Sequence, residues 1–196
     1  MPVPVRIVSA AVAAVVLLAA AVVMVIDATS AAFTDQTSNA DNGWTAGTLT
    51  ITDDDGDVAM FDSTTTTIGP GDTVTNCIAV TRSGTVPAAD VILYSDTGST
   101  GALDPFLNVT VERGTGGGFG SCGGFTASGA AVFTGTLEDF LTDHDDVASG
   151  ITDTDVAVDD TTVYRFAIEL DGTTPDAQQG AASTVVAFTW TAQTGS

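Results

Sequence analysis

The sequence predicts an all-β protein: a two-sheet jelly-roll-like sandwich with one short helix in a connection, preceded by a signal peptide. Three observations carry this reading. Apolar residues recur with a period of two in successive runs rich in Val, Ile, Thr and aromatics, the pattern of half-buried strands. Turns built on Gly and Pro separate those runs. Ahead of them all stands one long apolar stretch behind a single basic residue, Arg6.

That first stretch, Ile7 to Ile26, is almost continuously apolar and runs into Thr29-Ser30-Ala31-Ala32. A basic residue, an apolar core and small residues at a cut site make a secretory signal. Thr29 and Ala31 suit the −3 and −1 pockets of a signal peptidase, so cleavage is expected after Ala31. The run is also long enough to span a bilayer, which leaves an uncleaved N-terminal anchor as the alternative. Either way the body is expected outside the cell, secreted into an extracellular matrix or held at the surface, and touches membrane only through this segment.

The strands follow in order. Leu49 and Ile51 alternate with Thr48, Thr50 and Thr52. Val58–Phe61 is a short candidate. Gly69-Pro70-Gly71-Asp72 is a strong turn, because Pro fixes φ and Gly supplies φ > 0. Beyond it Val74, Ile78 and Val80 share one face of Thr73–Thr81, with Asn76 between them and Cys77 opposite. Ser83-Gly84 punctuates, and Val91–Tyr94 is short. Leu107, Val109 and Val111 alternate with Asn108, Thr110 and Glu112. The stretch Gly114–Gly124 reads as a mobile surface loop tethered by Cys122. Ala131–Phe133 is another short strand. Thr136 then caps the one predicted helix, with Glu138 and Asp139 in its first turn and Leu137, Phe140 and Leu141 on one face. Tyr164, Phe166, Ile168 and Leu170 form a long alternating run that ends at Asp171-Gly172. Val186, Phe188 and Trp190 close the chain, and their alternation makes Trp190 core.

Charge narrows the partners. The 196 residues carry 25 acidic side chains against four Arg and no Lys, a formal net charge of −21. Such a surface repels nucleic acid and anionic membrane. It suits a salty or cation-bridged setting, or is simply a solvated acidic surface. Two cysteines, Cys77 and Cys122, in an exported chain point to one disulfide, worth roughly 2–4 kcal/mol. No catalytic set is evident. A zinc protease needs a three-ligand set such as His-Glu-x-x-His, and the single His144 cannot supply it; a Ser-His-Asp triad would also have to use His144, among Asp143, Asp145 and Asp146. The chain therefore reads as a non-enzyme with no resident cofactor, Ca²⁺ excepted. Asp53, Asp55 and Asp57 flank a Gly-permitted turn and offer hard oxygen ligands for Ca²⁺, as do Asp143, Asp145 and Asp146; the alternative is solvated loops.

The junction Ala32-Phe33-Thr34-Asp35, followed by Trp44-Thr45-Ala46-Gly47-Thr48-Leu49, resembles the mature start of TasA/camelysin-family proteins. Ile68-Gly69-Pro70-Gly71-Asp72 resembles the family's Pro-Gly-Asp turn, Glu138-Asp139-Phe140-Leu141 its helical insertion, and Gln179-Gly180 with Val185–Ala192 its final turn and closing strand. The resemblance implies a secreted jelly-roll subunit that polymerises with itself into biofilm-matrix fibres, with accessory matrix proteins as further partners. It also implies donor-strand complementation, in which the N-terminal segment of one subunit fills a groove in the next. A strand added to a sheet edge satisfies backbone hydrogen bonds between chains, and a head-to-tail contact that does not close gives a filament. On this view residues 1–31 are the signal, 32–48 the donor segment and 49–196 the sandwich. Ala32, Phe33, Asp35, Trp44, Ala46, Gly47 and Leu49 would carry polymerisation, with Phe33 and Trp44 as apolar anchors. The family relatives are Lys-rich and this chain is not, so subunit packing must be apolar or cation-bridged. The competing expectation is a non-polymerising surface module for adhesion or Ca²⁺-dependent binding.

N-terminal sequencing of the exported protein should begin at Ala32. A start upstream of Asp27, or retention of the whole segment in the membrane, contradicts the cleavage site.

Overall fold

A computed structural model describes residues 45–62, 67–97 and 100–194. The signal segment, Ala32, Phe33, Asp35 and Trp44 lie outside the described residues. From Thr45 onward the chain forms one compact unit. Its elements are β1 (Leu49–Asp53), β2 (Thr73–Gly84), β3 (Ala88–Tyr94), β4 (Leu107–Thr115), β5 (Thr126–Ala127), β6 (Phe133–Thr136), α1 (Leu137–Asp143), β7 (Ile151–Ala157), β8 (Thr161–Leu170) and β9 (Thr189–Gln193).

The strands make two antiparallel sheets. The larger runs β1-β2-β8-β4, with β5 and β6 both on the far edge of β4; the smaller runs β7-β3-β9. Successive strands step from one sheet to the other at β2–β3, β3–β4, β6–β7, β7–β8 and β8–β9. This alternation is the jelly-roll pattern that the sequence predicts.

Period-two burial explains why the layers close. Ile78 and Val80 of β2, Leu107, Val109 and Val111 of β4, and Tyr164, Phe166, Ile168 and Leu170 of β8 turn inward and meet Leu93 of β3. Fully burying such a side chain is worth roughly 1.5–3 kcal/mol. Trp190 of β9 packs its ring against Tyr164 and Phe166, at 5.4 and 6.2 Å between centroids. Phe188 lies 4.5 Å from Phe166 and 5.4 Å from Phe140 of α1. Burial, with the nearby Asp153 carboxylate, pushes the Tyr164 phenol up.

Helix α1 forms where expected and for the expected reason. The Thr136 hydroxyl accepts from the Asp139 N–H at 3.0 Å, and the Asp139 carboxylate accepts from the Thr136 N–H at 2.9 Å. This is a reciprocal capping box with Asp in place of Glu. Leu137, Phe140 and Leu141 are its buried face.

Five expectations need correction. The short strand expected at Ala131–Phe133 begins only at Phe133 and runs to Thr136. Val58–Phe61 is not a strand: it leaves a turn with Gly56 and Asp57 both at positive φ (59° and 65°), and Val58 is exposed. The closing strand begins at Thr189 rather than near Val185. β2 runs through Ser83-Gly84 instead of ending there. Gly114–Gly124 is held against the sheet at several points, described below. β7 was not anticipated, because Asp153 and Asp155 break its apolar pattern; Asp153 sits there by pairing with Arg113 of β4 and accepting from Thr162 of β8.

Replacing Thr136 with Ala should lower stability by about 1 kcal/mol, read from denaturant unfolding. The hydrogen bonds from Thr136 hold the Asp139 carboxyl below its ordinary value. A depressed carboxyl contributes stability above its unfolded value and loses it as pH falls through the folded one. Unfolding midpoints of the wild type and D139A should therefore differ at neutral pH and converge in strong acid.

Candidate functional site

Two strand edges receive opposite treatment. Along β2, strand β1 pairs only as far as Val80, opposite Asp53. Beyond that point side-chain oxygens take over. The Ala79 N–H donates to Asp54 Oδ1 at 2.7 Å and the Cys77 N–H to Asn76 Oδ1 at 2.9 Å. The same two side chains hold the glycine-rich loop: Asp54 Oδ2 accepts from the Phe119 N–H at 2.8 Å, and Asn76 Oδ1 from the Gly120 N–H at 3.1 Å. Asn76 Nδ2 donates to the Met60 carbonyl at 2.6 Å. Cys77 and Cys122 form the expected disulfide. Phe125 completes the cover, with the Arg165 guanidinium 4.6 Å from its ring centre and that guanidinium paired with Glu112. The loop expected to be mobile is thus clamped over the outer face of the larger sheet.

The edge of β9 is different. β9 pairs with β3, Tyr94 opposite Thr189 through Asp90 opposite Gln193, and with no described strand on its other side. Before it, Ala181–Phe188 runs outside any strand. Among the described residues two side chains pin this run. The wholly buried Asp104 accepts from the Gly101 N–H at 2.5 Å and the Thr184 N–H at 3.0 Å, and the Thr97 hydroxyl accepts from the Ala187 N–H at 3.3 Å. Phe188 is packed inward, while Val185 is 92% exposed. Ser183-Thr184-Val185-Val186-Ala187-Phe188 is strand-forming chemistry that pairs with no described strand.

The described part of the predicted donor segment belongs to the subunit's own fold. Leu49 pairs with Gly84 in β1. The Thr48 N–H donates to the Thr85 hydroxyl at 2.9 Å, and the Thr48 carbonyl accepts from Thr85 and Val86. Gly47 faces Val86 so closely that a Cβ would lie 2.9 Å from it. Its small size therefore serves a contact within the subunit. Ala46 is exposed.

The acidic cluster is a turn. The Asp57 N–H donates to Asp55 Oδ1 at 2.8 Å and the Asp55 N–H to Asp53 Oδ1 at 3.4 Å. Partial burial, a hydrogen bond to the Asp55 side chain and the charges of Asp55 and Asp54 push the Asp53 carboxyl up. Among the described residues no three His, Cys, Asp or Glu side chains converge to hold a metal, so Asp53, Asp55 and Asp57 are not brought together as ligands. His144 sits between Phe133 and Phe140, each 5.5 Å away, with Nδ1 2.7 Å from the Ser149 carbonyl oxygen. The Ser149 hydroxyl turns to Asp145 and Asp146 instead. No described helix is long and apolar enough to cross a membrane.

No protein-family model matches this chain, and no curated protein matches it.

Asp54 and Asp104 carry this architecture and sequence reasoning missed both. Asp54 stands among Asp53, Asp55 and Asp57 with nothing local to set it apart, and its clamp depends on a loop 65 positions away. Replacing Asp54 with Ala should cost about 1–3 kcal/mol, because two N–H groups lose their acceptor. Replacing Asp143, exposed at the end of α1, should change stability by less than about 0.5 kcal/mol. Thermal unfolding of both variants checks the contrast.

Proposed function

We propose that this chain is an exported structural subunit that assembles with copies of itself into extracellular biofilm-matrix fibres. The N-terminal segment of one copy, with Phe33 and Trp44 as anchors, would add to the open edge of the next. The observation that carries this reading is that edge: β9 lacks a described partner on one side, and the Ala181–Phe188 run before it is strand-forming, exposes Val185 and pairs with no described strand. Natural sheets rarely leave such an edge without a charge, a bulge or a cover. The β2 edge of the same domain is capped by Asp54 and Asn76. β9 is half-buried and β1 lies close to it, but a strand with no hydrogen-bonding partner on one side favours pairing between chains. The resemblance of Ala32–Leu49 to the TasA/camelysin start points to a donor in the part ahead of Thr45, because Thr48 and Leu49 pair within their own subunit.

Charge sets the conditions for assembly. Copies carrying −21 each repel at long range, and salt shortens that range to about 8 Å at physiological ionic strength. Fibre formation should rise with salt or divalent cations.

Two variants test the proposal, each read by electron microscopy and by circular dichroism. Deleting Ala32–Asn42 should abolish fibres and leave a folded β monomer. Val185→Pro, which removes one N–H from the exposed strand-forming run ahead of β9, should do the same. Normal fibres from either variant would overturn donor-strand assembly. A full mature protein that stays monomeric across concentration and salt would favour a non-polymerising surface binding module.

A further inference from the structure

We infer that Asn108 is the acceptor of an N-linked glycan. The chain contains four asparagines, Asn39, Asn42, Asn76 and Asn108, and only Asn108-Val109-Thr110 has a hydroxyl residue two places on with a non-proline residue between. That arrangement marks an N-glycan acceptor in an exported chain. The fold then places the residue suitably. Val109 is wholly buried in the core, so alternation along β4 sets Asn108 and Thr110 together on the outer face of the larger sheet. Asn108 is exposed. Its cross-strand neighbours are Glu169 of β8 and Thr136 of β6, and neither closes over it.

Asn76 shows the contrast. Both ends of its amide are committed, to the Met60 carbonyl and to the Cys77 and Gly120 N–H groups. The Asn108 amide lies near the Asp171 carboxylate. A glycosylated amide keeps one N–H, so that approach is compatible with the modification.

The step needs a glycan carried on a polyprenyl phosphate. The Asn108 Nδ2 attacks the anomeric carbon and forms the C–N bond. The bond from that carbon to the phosphate oxygen breaks, the lipid phosphate leaves with the electron pair, and the amide gives up one proton. Nothing is oxidised or reduced. In the folded protein β4 is paired on both sides, with β8 and with β6, so the transfer precedes folding and belongs to export. The glycan then projects from a face other than the β9 edge. The inference rests on export of the chain and not on fibre assembly.

Protein recovered from outside the cells that naturally make it provides the test. Cleavage at Asp residues releases Asp104–Glu138, whose mass is read after reduction. A mass excess on this fragment, lost in N108Q and in T110V but kept in T110S, is the expected result. Asn108 and Thr110 lie on the outer face, and T110V keeps a β-branched side chain, so both variants should fold. An unmodified fragment from exported protein would overturn the inference while leaving export intact. A mass excess that survives N108Q would overturn it too.

Discussion

Backbone N–H and C=O groups at the edge of a sheet must find partners, and two strand edges of this protein differ in how they do so. A two-sheet sandwich, unlike a closed barrel, keeps its edges. The β2 edge is satisfied within the subunit by Asp54 and Asn76, whose oxygens also hold the glycine-rich loop that the Cys77–Cys122 disulfide fastens. The cover explains the composition of Gly114–Gly124. Gly118 lies so close to Asp54 that a Cβ there would stand 2.7 Å from its carboxylate. The opposite solution stands at β9, where the subunit leaves the edge without a described partner.

Charge follows the same economy. Of the three arginines among the described residues, Arg113 pairs with Asp153 and Arg165 with Glu112. Arg82 is 1% exposed, and its guanidinium donates to the Val86 and Pro87 carbonyls at the crossing from β2 to β3. Each cation of the domain is thus used inside the subunit. What faces solvent is overwhelmingly acidic. On the assembly proposed above, contacts between copies would rest chiefly on backbone pairing, apolar anchors and screening by small cations.

The long alternating runs at β2, β4 and β8 were legible because each buries one face, and period two then fixes both strand and orientation. The cap of α1 was legible because Thr136 and Asp139 are three residues apart and act locally. The disulfide followed from the cysteine count and the expectation of export. What escaped the sequence depends on partners far along the chain. β7 carries Asp153 inside a strand because Arg113, 40 positions earlier, neutralises it. Val186 and Phe188 alternate suitably for a strand, but the run they stand in pairs with no described strand, so the strand starts at Thr189. The Asp53–Asp57 run read as a possible cation site; its most consequential member, Asp54, was the one left out of that set. Gly47 was expected among the residues of polymerisation, and its close neighbour is Val86 of the same chain.

Hydrogen–deuterium exchange across residues 181–193, compared between the dispersed subunit and the assembled fibre, tests the central claim most directly. If the open edge is the acceptor, amides between Val185 and Gln193 that face away from β3 exchange quickly in the dispersed subunit and become strongly protected on assembly. Residues of β2 near Cys77 and Ala79, already capped, should change little. Equal exchange of the 181–193 stretch in both states, with protection gained elsewhere, would contradict assembly through this edge.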